Sequence, residues 1–345
     1  MRILLLGTFN IGALEHQFVK GFATNNVQVL TYDITKEYEQ NLNNSIFFKV
    51  INRINQNVFL DTINEKIITY CKGNIVDVIF VSKGLTVFPE TLEEIKKYCK
   101  LLVNYNPDHP YIFYSRGSGN NNIKNSINKY DLLFSYSKSI CEKVKNIYNT
   151  NTYWLPFGYD PNIEKMTLNT NKVSDRFLFV GAYDKQRLNI IESLKRDDFD
   201  IFGDKKWGAK SLKKGFVRKC YRNANLYGDK LIYMTNESVA SINILRPQNI
   251  IENSHNMRTF EVPAMGGTLL SRFTDEQASF FEPNKEMLFY HSEEELSEKL
   301  IYLKKHPDES LKIKKNALER SRKSNYNYTY RCKEMISVIN FYLKS

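Results

Sequence analysis

At 345 residues the chain is longer than one average domain, and its length favours about two. An apolar fraction of 42% is enough for packed cores, and the absence of any run of about 18 apolar residues argues against a membrane-spanning helix. The net charge is +11, and the five cysteines, which form no CxxC pair, predict reduced, mostly buried thiols and no metal site.

Apolar runs alternate with helical patterns through the first half of the chain. The strand-like runs cover residues 2–7, 27–33, 76–84, 101–106, 132–136 and 152–158. The first run lacks the cleavage site of a signal peptide, so it predicts a strand. Helical patterns lie between the runs, as at 89–100, where Pro89 suits the first turn. Continuous apolar strands are typical of a parallel sheet that is covered by helices on both faces.

A polar linker is predicted at 161–175, after which the alternation begins again. Strand-like runs follow at 176–182, 198–203, 238–245, 268–273 and 287–290, with a helix after Arg187 and mostly helical spacing from Glu293 onward. We therefore predict an α/β fold with two Rossmann-like, doubly wound domains that face each other across a cleft. The predicted segments are a first domain at 1–160, the linker, a second domain at 176–328 and a final helix at 329–345.

The turn after the first strand is a candidate wall of the acceptor side of the cleft. Gly7 and Gly12 allow close approach of the backbone, and Asn10 lies between them. A purely structural turn is the competing interpretation. A dinucleotide site is a third, because Asp33 ends the second strand, but the spacing is G-x4-G and not GxGxxG.

Asp108 and His109 follow the fourth apolar strand, at the edge where open α/β sheets bind ligands. Asp108 can accept a proton from a sugar hydroxyl, and His109 can donate to a substrate oxygen or act as a base. His16, inside the first predicted helix, is a further catalytic candidate. The competing interpretations are an Asx turn for the pair and a packing role for His16.

A second glycine turn, at 179–187, follows a predicted strand in the second half of the chain, as the turn after the first strand does in the first half. Gly181 lets the backbone approach a ligand, and Lys185 and Arg187 lie at the expected start of a helix. Two cations there can neutralise a diphosphate, Arg187 through its planar fork and Lys185 as a point charge. An ordinary charged helix start is the alternative.

A short helix is expected around residue 260. Ser254 or Asn256 can cap it, and Pro263 is tolerated if the helix starts late, near Phe260. Glu261 then lies in the first turn, where the helix dipole favours an ionised carboxylate.

Glu261 is the natural partner for the two hydroxyls of a ribose. Gly266 and Gly267 are expected to end the helix and to let the next strand pass close by. A local ion pair between Arg258 and Glu261 is the competing interpretation.

Residues 176–335 contain a set of motifs in a fixed order, with a looser match in the first half. The motif residues are Arg258, Phe260 and Glu261; Gly266 and Gly267; Phe281, Pro283 and Glu286; Tyr290 with Glu294, Glu295 and Leu296; and Tyr328 with Arg331. The set resembles the C-terminal domain of the CgeB-like (spore maturation protein) glycosyltransferases, a GT-B-fold group related to retaining glycosyltransferase family four.

This resemblance implies a hexosyltransferase, with a nucleotide-diphosphate sugar as co-substrate, UDP- or GDP-linked, and with no other cofactor and no obligatory metal. It implies a donor site in the second domain that includes Arg258 and Glu261, an acceptor site on the first domain, and a final helix that packs back on the first domain. Two positions depart from the family pattern: Asn253 stands where a second glutamate is usual, and Tyr326 where a histidine is common. The first departure leaves the choice between retention and inversion open.

A basic stretch at 205–222 contains eight basic residues and no acid. It suits phosphates, an anionic membrane face or nucleic acid, and a solvated surface explains it equally well. The favoured acceptor is a glycan, a glycolipid or a protein in surface polysaccharide biosynthesis, handled in the cytoplasm or at the inner face of the membrane. The alternatives are a DNA-base glycosyltransferase, a catalytically silent GT-B protein and, least favoured, a nicotinamide-dependent oxidoreductase.

Overall fold

The computed structural model describes residues 1–10, 12–36, 46–47, 50, 60–114, 117–166, 174–212 and 215–344. The chain divides into two compact units, one formed by Met1–Pro156 with Tyr328–Ser345 and the other by Phe157–Asn327. The boundary therefore lies a few residues before the expected linker, of which 167–173 lie outside the described residues. Pro161–Lys165, within that linker, forms a short 3-10 helix.

The first unit contains a parallel sheet with helices between its strands. Its strands are β1 Arg2–Gly7, β2 Gln28–Asp33, β3 Val76–Ser82, β4 Cys99–Asn106, β5 Leu132–Ser135 and β6 Thr152–Trp154. Its helices are α1 Leu14–Thr24, α2 Leu60–Gly73, α3 Pro89–Ile95, α4 Asn121–Ser126 and α5 Lys138–Tyr148, with 3-10 turns at Lys96–Tyr98 and Ile127–Lys129.

The sheet order is β2-β1-β3-β4-β5-β6, and every pairing is parallel. The inner strands are buried on both faces; Leu4 of β1 and Ile79 of β3, for example, are paired and fully buried. Burial on both faces explains why these strands are nearly continuous apolar runs in the sequence.

The second unit repeats this architecture. Its strands are β7 Phe177–Val180, β8 Phe199–Phe202, β9 Ser241–Asn243, β10 Leu269–Arg272 and β11 Leu288–Tyr290. Its helices are α6 Lys185–Ser193, α7 Lys206–Lys210, α8 Gly215–Cys220, α9 Gly228–Glu237, α10 Pro247–Ile251, α11 Arg258–Ala264, α12 Asp275–Phe280, α13 Glu293–Lys305 and α14 Pro307–Lys323.

The second sheet is also parallel, in the order β11-β10-β9-β7-β8. Its core includes the fully buried rings of Phe177, Phe199 and Trp207. Two parallel α/β units confirm the predicted fold class. Within the described residues, no helix is long and apolar enough to cross a membrane.

The last helix, α15 Tyr328–Lys344, belongs to the first unit and packs on α1. The side-chain amide of Asn25 donates to the carbonyl of Thr329 over 2.9 Å. At Gly21 an added Cβ would lie 2.4 Å from Sγ of Cys332, so this helix contact requires glycine. The five cysteines form no disulfide, and four of them are buried, as expected.

Two expected elements have different bounds in the structure. Residues 155–158 lie outside β6, and β9 is shorter than the apolar run at 238–245. The apolar side chains Leu155 and Phe157 and the run's Val239 and Ile244 are buried without belonging to a strand. These positions are apolar because they are buried, and not because they belong to a strand. The predicted strands are therefore longer than the strands of the structure.

Candidate functional site

The topology of the second sheet defines a point where ligands are expected to bind. From β7 the chain continues to β8 on one side, and it then returns to β9 on the other side of β7. In open parallel sheets, the crevice at such a switch point, beyond the carboxyl ends of the strands, is the usual ligand site. The loops that follow β7 and β9 therefore form the centre of the candidate site.

Arg187 spans this switch point. Its Nη1 donates to the carbonyl of Ala182, which follows β7, over 3.3 Å. Its Nε donates to the carbonyl of Ile244, which follows β9, over 3.0 Å. The guanidinium is thus held by backbone carbonyls on both sides of the switch point, and no carboxylate of the described residues is bound to it.

The helix that carries Arg187 begins earlier than expected. Asp184 is the N-cap of α6, and its carboxylate accepts from the backbone N–H of Arg187, over 3.4 Å. A side-chain acceptor at this position satisfies an N–H that has no partner inside the helix, which fixes the start at Lys185. The prediction of a helix after Arg187 is therefore wrong, and Arg187 lies in the first turn. Lys185 is exposed and makes no ion pair within the described residues.

Gly181, at the end of β7, is small because protein atoms occupy the space beside it. An added Cβ would lie 3.3 Å from Nη1 of Arg187, and the Gly181 carbonyl accepts from Nε1 of Trp207 over 2.9 Å. The sequence analysis expects a ligand to approach this backbone. In the structure the Arg187 guanidinium lies there, so the contact that Gly181 makes possible is with the arginine.

Three arginines lie within electrostatic range of one another at the switch point. Burial, together with the positive charges of Arg246 and Arg258, lowers the pKa of Arg187 to about 10, while Asp184 acts in the opposite direction. Arg246 lies directly before α10 and makes no ion pair within the described part of the chain. The sequence analysis missed Arg246; its position just after a predicted strand, followed by Pro247, is the signal that could have identified it.

The segment from residue 254 to 267 brings Arg258 and Glu261 to the same edge. Arg258 Nη1 forms an ion pair with Oε2 of Glu261, and both side chains are partly buried. The competing interpretation of a local ion pair is therefore what the structure contains, and one carboxylate oxygen of Glu261 is already engaged. The helix starts at Arg258 and not near Phe260, with Met257 at the N-cap in place of Ser254 or Asn256.

Buried amides and hydroxyls fix the loop that leads into α11. Asn243 at the end of β9 and Asn256 exchange two side-chain hydrogen bonds, of 2.9 and 3.2 Å. Asn243 also donates to Oγ of Ser271 on β10 over 3.0 Å, and Oε1 of Gln277 accepts from Ser271 and from Thr259 on α11. This network ties the start of α11 to β9 and β10, so the positions of Arg258 and Glu261 follow from it.

A buried histidine orients the same loop. His255 is fully buried; its Nδ1 lies 2.7 Å from Oε2 of Glu276, and its Nε2 accepts from the backbone N–H of Phe157 over 3.2 Å. A ring nitrogen that accepts from an N–H carries no proton, so Nδ1 donates to the carboxylate.

Gly266 and Gly267 end α11 as expected. Gly266 has φ of 68°, its N–H donates to the carbonyl of Pro263, and the Gly267 N–H donates to the carbonyl of Val262. These two bonds form a Schellman motif, in which the left-handed position favours glycine. An added Cβ at Gly267 would lie 2.6 Å from Cγ2 of Thr235, so this position excludes any side chain.

The first sheet also has a switch point, between β1 and β3, and a buried carboxylate lies beside it. Glu15, in the first turn of α1, is only 8% exposed and accepts from the backbone N–H of Thr8 over 3.4 Å. An added Cβ at Gly7 would lie 2.6 Å from Cγ of Glu15, so Gly7 makes room for this side chain. Of the other acceptor-side candidates, Gly12 is exposed with φ of 80°, and Asn10 is exposed.

Glu15 is the second residue that the sequence analysis missed. Within the described residues it makes no ion pair, although burial of an uncompensated carboxylate is costly. Its neighbour His16 is exposed, and Nε2 of His16 donates to the carbonyl of Phe9 over 3.1 Å. His16 was predicted as a catalytic candidate, but it is exposed. The buried side chain at this place is the carboxylate of Glu15, one residue earlier.

Asp108 and His109 lie in different environments. Asp108 Oδ2 forms a 2.7 Å ion pair with Nζ of Lys83, which also donates to the carbonyl of Gly117. His109 is fully buried, and its Nδ1 accepts from the backbone N–H of Ile112 over 3.1 Å. Asp108 is therefore partly exposed and paired with Lys83, whereas burial of His109 argues against its expected catalytic role and for a packing role.

No metal cluster is found in the part of the chain that the structure describes: no three His, Cys, Asp or Glu side chains there are arranged to hold an ion. Three of the charged groups at the second switch point are arginines, which repel metal ions and attract anions.

Comparison with known proteins gives a family match for the second unit. Residues 186–337 match a family model described as glycosyl transferase-like. This segment is somewhat less than half of the chain, and it includes α11, α6 except for its first residue, and all three arginines of the cluster. No curated protein matches the chain.

Solved structures match the whole chain in fold. Sucrose-phosphate synthase from Thermosynechococcus elongatus has a TM-score of 0.67 at 10% identity, over 99% of this chain and 98% of that chain. A glycosyltransferase from Rickettsia africae has 0.66 at 11%, over 100% and 99%. HepE from Anabaena, solved with UDP and glucose, has 0.62 at 11%, over 99% of each chain. At this level of identity the likeness shows the fold alone, and it confirms the GT-B class.

Proposed function

We propose that the protein is a glycosyltransferase that moves a hexose from a nucleotide-diphosphate donor, UDP- or GDP-linked, to a hydroxyl of a glycan, glycolipid or protein. We further propose that it is CgeB-like, acts in surface polysaccharide biosynthesis, and requires no metal and no cofactor besides the donor. Retention is favoured over inversion. The observation that carries the proposal is the group of three arginines, Arg187, Arg246 and Arg258, at the switch point of the second sheet.

The energetics of this cluster favour a dianionic ligand. Arg187 is half-buried, binds only carbonyls within the described residues, and has two further cations near it, so its charged form is disfavoured. An anion that contacts all three arginines removes this penalty and gains charge-assisted hydrogen bonds. Lys185, exposed at the start of α6, adds a fourth cation. A diphosphate has the charge and the number of oxygens to fill such a site.

The same groups explain transfer without a metal ion. As the bond between sugar and phosphate breaks, negative charge develops on the leaving diphosphate. Arg187, which is already fixed by the carbonyls of Ala182 and Ile244, stabilises this charge without having to reorganise. The other oxygen of Glu261 makes no hydrogen bond within the described residues and can accept a ribose hydroxyl, while Arg258 holds Oε2 and fixes the carboxylate's orientation.

On the acceptor side, we propose that Glu15 and Asp108 bind the hydroxyls of the acceptor. Both carboxylates lie at the carboxyl edge of the first sheet, one beside β1 and the other after β4. Either of them, or the departing phosphate, can take the hydroxyl proton. The protein is proposed to act in the cytoplasm, with peripheral contact to the anionic inner face of the membrane.

The fold comparisons support this proposal. The HepE structure, solved with UDP and glucose, has the same two-unit fold over nearly its whole length. The glycosyl transferase-like match covers the unit that carries the arginine cluster.

The proposal is tested by a thermal-shift panel of UDP, GDP, CMP, dTDP, ADP and NAD without added metal. We expect one diphosphate to raise the unfolding midpoint of the wild type by several degrees and to have a smaller effect on Glu261→Ala. Arg322→Gln is the matched control, because Arg322 is an exposed arginine of α14 far along the chain from the cluster. Stabilisation by NAD alone, or by no nucleotide, would overturn the proposal.

A catalytically silent nucleotide-binding protein is the second candidate, and Asn253 is the observation that favours it. Its side chain accepts from the backbone N–H of Asp275 over 2.8 Å and donates to the Asp275 carboxylate, so it caps α12. A silent protein would bind the diphosphate and fail to release it from the matching nucleotide sugar. Release of free nucleoside diphosphate over time therefore separates the two candidates.

A further inference from the structure

A strongly cationic surface lies beside β8, outside the arginine cluster. It consists of the exposed side chains of Lys205, Lys206, Lys210, Arg218 and Lys219, on and next to α7 and α8. Within the described residues none of these five makes an ion pair, whereas Arg222, which follows them, is paired with Asp200. The basic stretch thus presents its charge to solvent and does not use it to hold the fold together.

The helices under this surface are fixed to the second unit. Trp207 of α7 is fully buried, and its ring contacts Phe179 of β7 at 5.5 Å between centroids. Val217 of α8 is also fully buried, and its backbone N–H donates to the Glu192 carboxylate of α6 over 2.9 Å. Buried anchors on one side leave the cations on the other side, so the surface is a rigid part of the unit. Since Trp207 also binds the Gly181 carbonyl, the surface adjoins the loop that precedes α6.

A large apolar side chain is exposed within the basic stretch. Leu212, between α7 and α8, is 63% exposed. An aliphatic side chain among lysines has no role in a purely solvated face. The combination is typical of a surface that meets lipid headgroups, where cations contact phosphates and apolar groups enter the interface.

The aromatic residues of the stretch argue against nucleic acid as the partner. Binding of single strands uses exposed rings on which bases stack. Here Trp207 is buried, and Phe216 and Tyr221 are partly buried, with the Tyr221 hydroxyl bonded to the carbonyl of Asp204 over 3.1 Å. The exposed apolar group of the stretch is Leu212, which can enter a lipid interface but offers no ring for stacking.

We propose that this cationic surface binds an anionic lipid bilayer, with Leu212 entering the headgroup region. The assignment rests on the proposed function, because it names the side chains that would bring the enzyme to a membrane where a lipid-linked or surface acceptor is found. Binding to vesicles needs no nucleotide, however, so a failure of this proposal and a failure of the nucleotide site give different results.

The test is cosedimentation of the full chain with vesicles made of phosphatidylglycerol and phosphatidylcholine in roughly equal parts, at an ionic strength of about 0.1 M. The wild type is expected to bind these vesicles and not pure phosphatidylcholine. Lys206→Glu/Lys210→Glu/Lys219→Glu is expected to bind about 100-fold more weakly, since each lysine near such a surface contributes about fivefold. Leu212→Ser is expected to lose about fivefold.

The matched control is Lys305→Glu/Lys312→Glu/Lys315→Glu, which makes the same change of charge at exposed lysines of α13 and α14. It is expected to keep more than half of the wild-type affinity, because the altered charges lie on other helices. Equal losses in both triple variants would show a net-charge effect and overturn the assignment of the surface. Binding of the wild type to an oligonucleotide duplex but not to vesicles would overturn the choice of partner. All variants are checked for an unchanged thermal shift with the diphosphate, which reports on folding and on the nucleotide site.

Discussion

The carboxyl edges of the two sheets have the same topology and opposite charge. In the second unit, three arginines meet where β7 and β9 end, and the nearby carboxylate of Glu261 is paired with one of them. In the first unit, the buried Glu15 lies beside β1 without an ion-pair partner among the described residues. Each edge therefore holds a charge that the fold does not compensate.

This difference indicates which ligand each edge suits. An uncompensated buried charge costs stability. Its position therefore indicates a place where a bound ligand can compensate the charge. Excess positive charge suits phosphate, and a carboxylate suits the hydroxyls of a sugar. The sign of the charge therefore supports the proposed division between a donor edge and an acceptor edge, without any reference to motif.

The largest effect is expected at the donor edge. Arg246→Gln removes one cation from the cluster and leaves a neutral polar side chain, so a nucleoside diphosphate is expected to bind about 100-fold more weakly, which corresponds to a charge-assisted bond of about 3 kcal/mol. Calorimetric titration measures the loss. Arg322→Gln should leave the affinity unchanged. An equal loss in both variants would show that the arginine cluster is not the diphosphate-binding site.

The donor edge also depends on the close fit of Gly267. In Gly267→Ala the new methyl would lie 2.6 Å from Thr235 Cγ2 and 2.9 Å from Val262 Cγ1, so we expect a loss of about 2 kcal/mol in the free energy of unfolding. Denaturant unfolding of this variant is compared with that of Gly73→Ala, where nothing lies within 4 Å of the new methyl. If both variants unfold like the wild type, Gly267 is not tightly packed after α11, contrary to this expectation.

At the acceptor edge, Glu15→Gln separates turnover from donor binding. The amide keeps the size of the side chain and the bond from Thr8 but loses the charge, so release of nucleoside diphosphate from the nucleotide sugar is expected to fall at least about tenfold. Affinity for the diphosphate should not change. Glu90→Gln, which alters an exposed glutamate in the first turn of α3, is the control. Full turnover in Glu15→Gln would show that Glu15 only stabilises α1 and takes no part in the reaction.

The smallest effect is expected for Asp108→Asn. The ion pair of Asp108 with Lys83 is partly exposed, and Lys83 keeps its bond to the carbonyl of Gly117, so the loss of unfolding free energy should be below about 1 kcal/mol. Thermal denaturation checks this value. A loss of several kcal/mol would mean that the ion pair holds the edge of the first sheet together and is not available for a ligand.

Much of the fold could be predicted from the sequence. Strands buried on both faces leave continuous apolar runs, and Leu4 or Ile79 therefore identify their strands without knowledge of their partners. Pro89 occupies the first turn of α3 as expected. The predicted bounds of two elements were wrong. At residues 155–158 the side chains are buried without strand pairing, which produces the same apolar pattern as a strand. At α6 the side-chain cap Asp184 sets the start of the helix.

The candidate site was harder to predict, because its residues are brought together by the sheet order. Arg187 and Arg258 are conspicuous in their own segments, but only the adjacency of β7 and β9 puts Arg246 beside them. Glu15 was missed for a different reason. In the sequence it is an ordinary first-turn glutamate, and its burial against Gly7 becomes apparent only in three dimensions.

The central claim, that the arginine cluster binds a diphosphate, is tested most directly by calorimetric titration of the wild type with the stabilising nucleoside diphosphate and with its parent nucleoside. The account predicts that the diphosphate binds at least about 100-fold more tightly, because the nucleoside makes none of the arginine contacts. It also predicts that the difference decreases as salt is raised, since the contacts are ionic. Equal affinities for the two ligands would contradict the account.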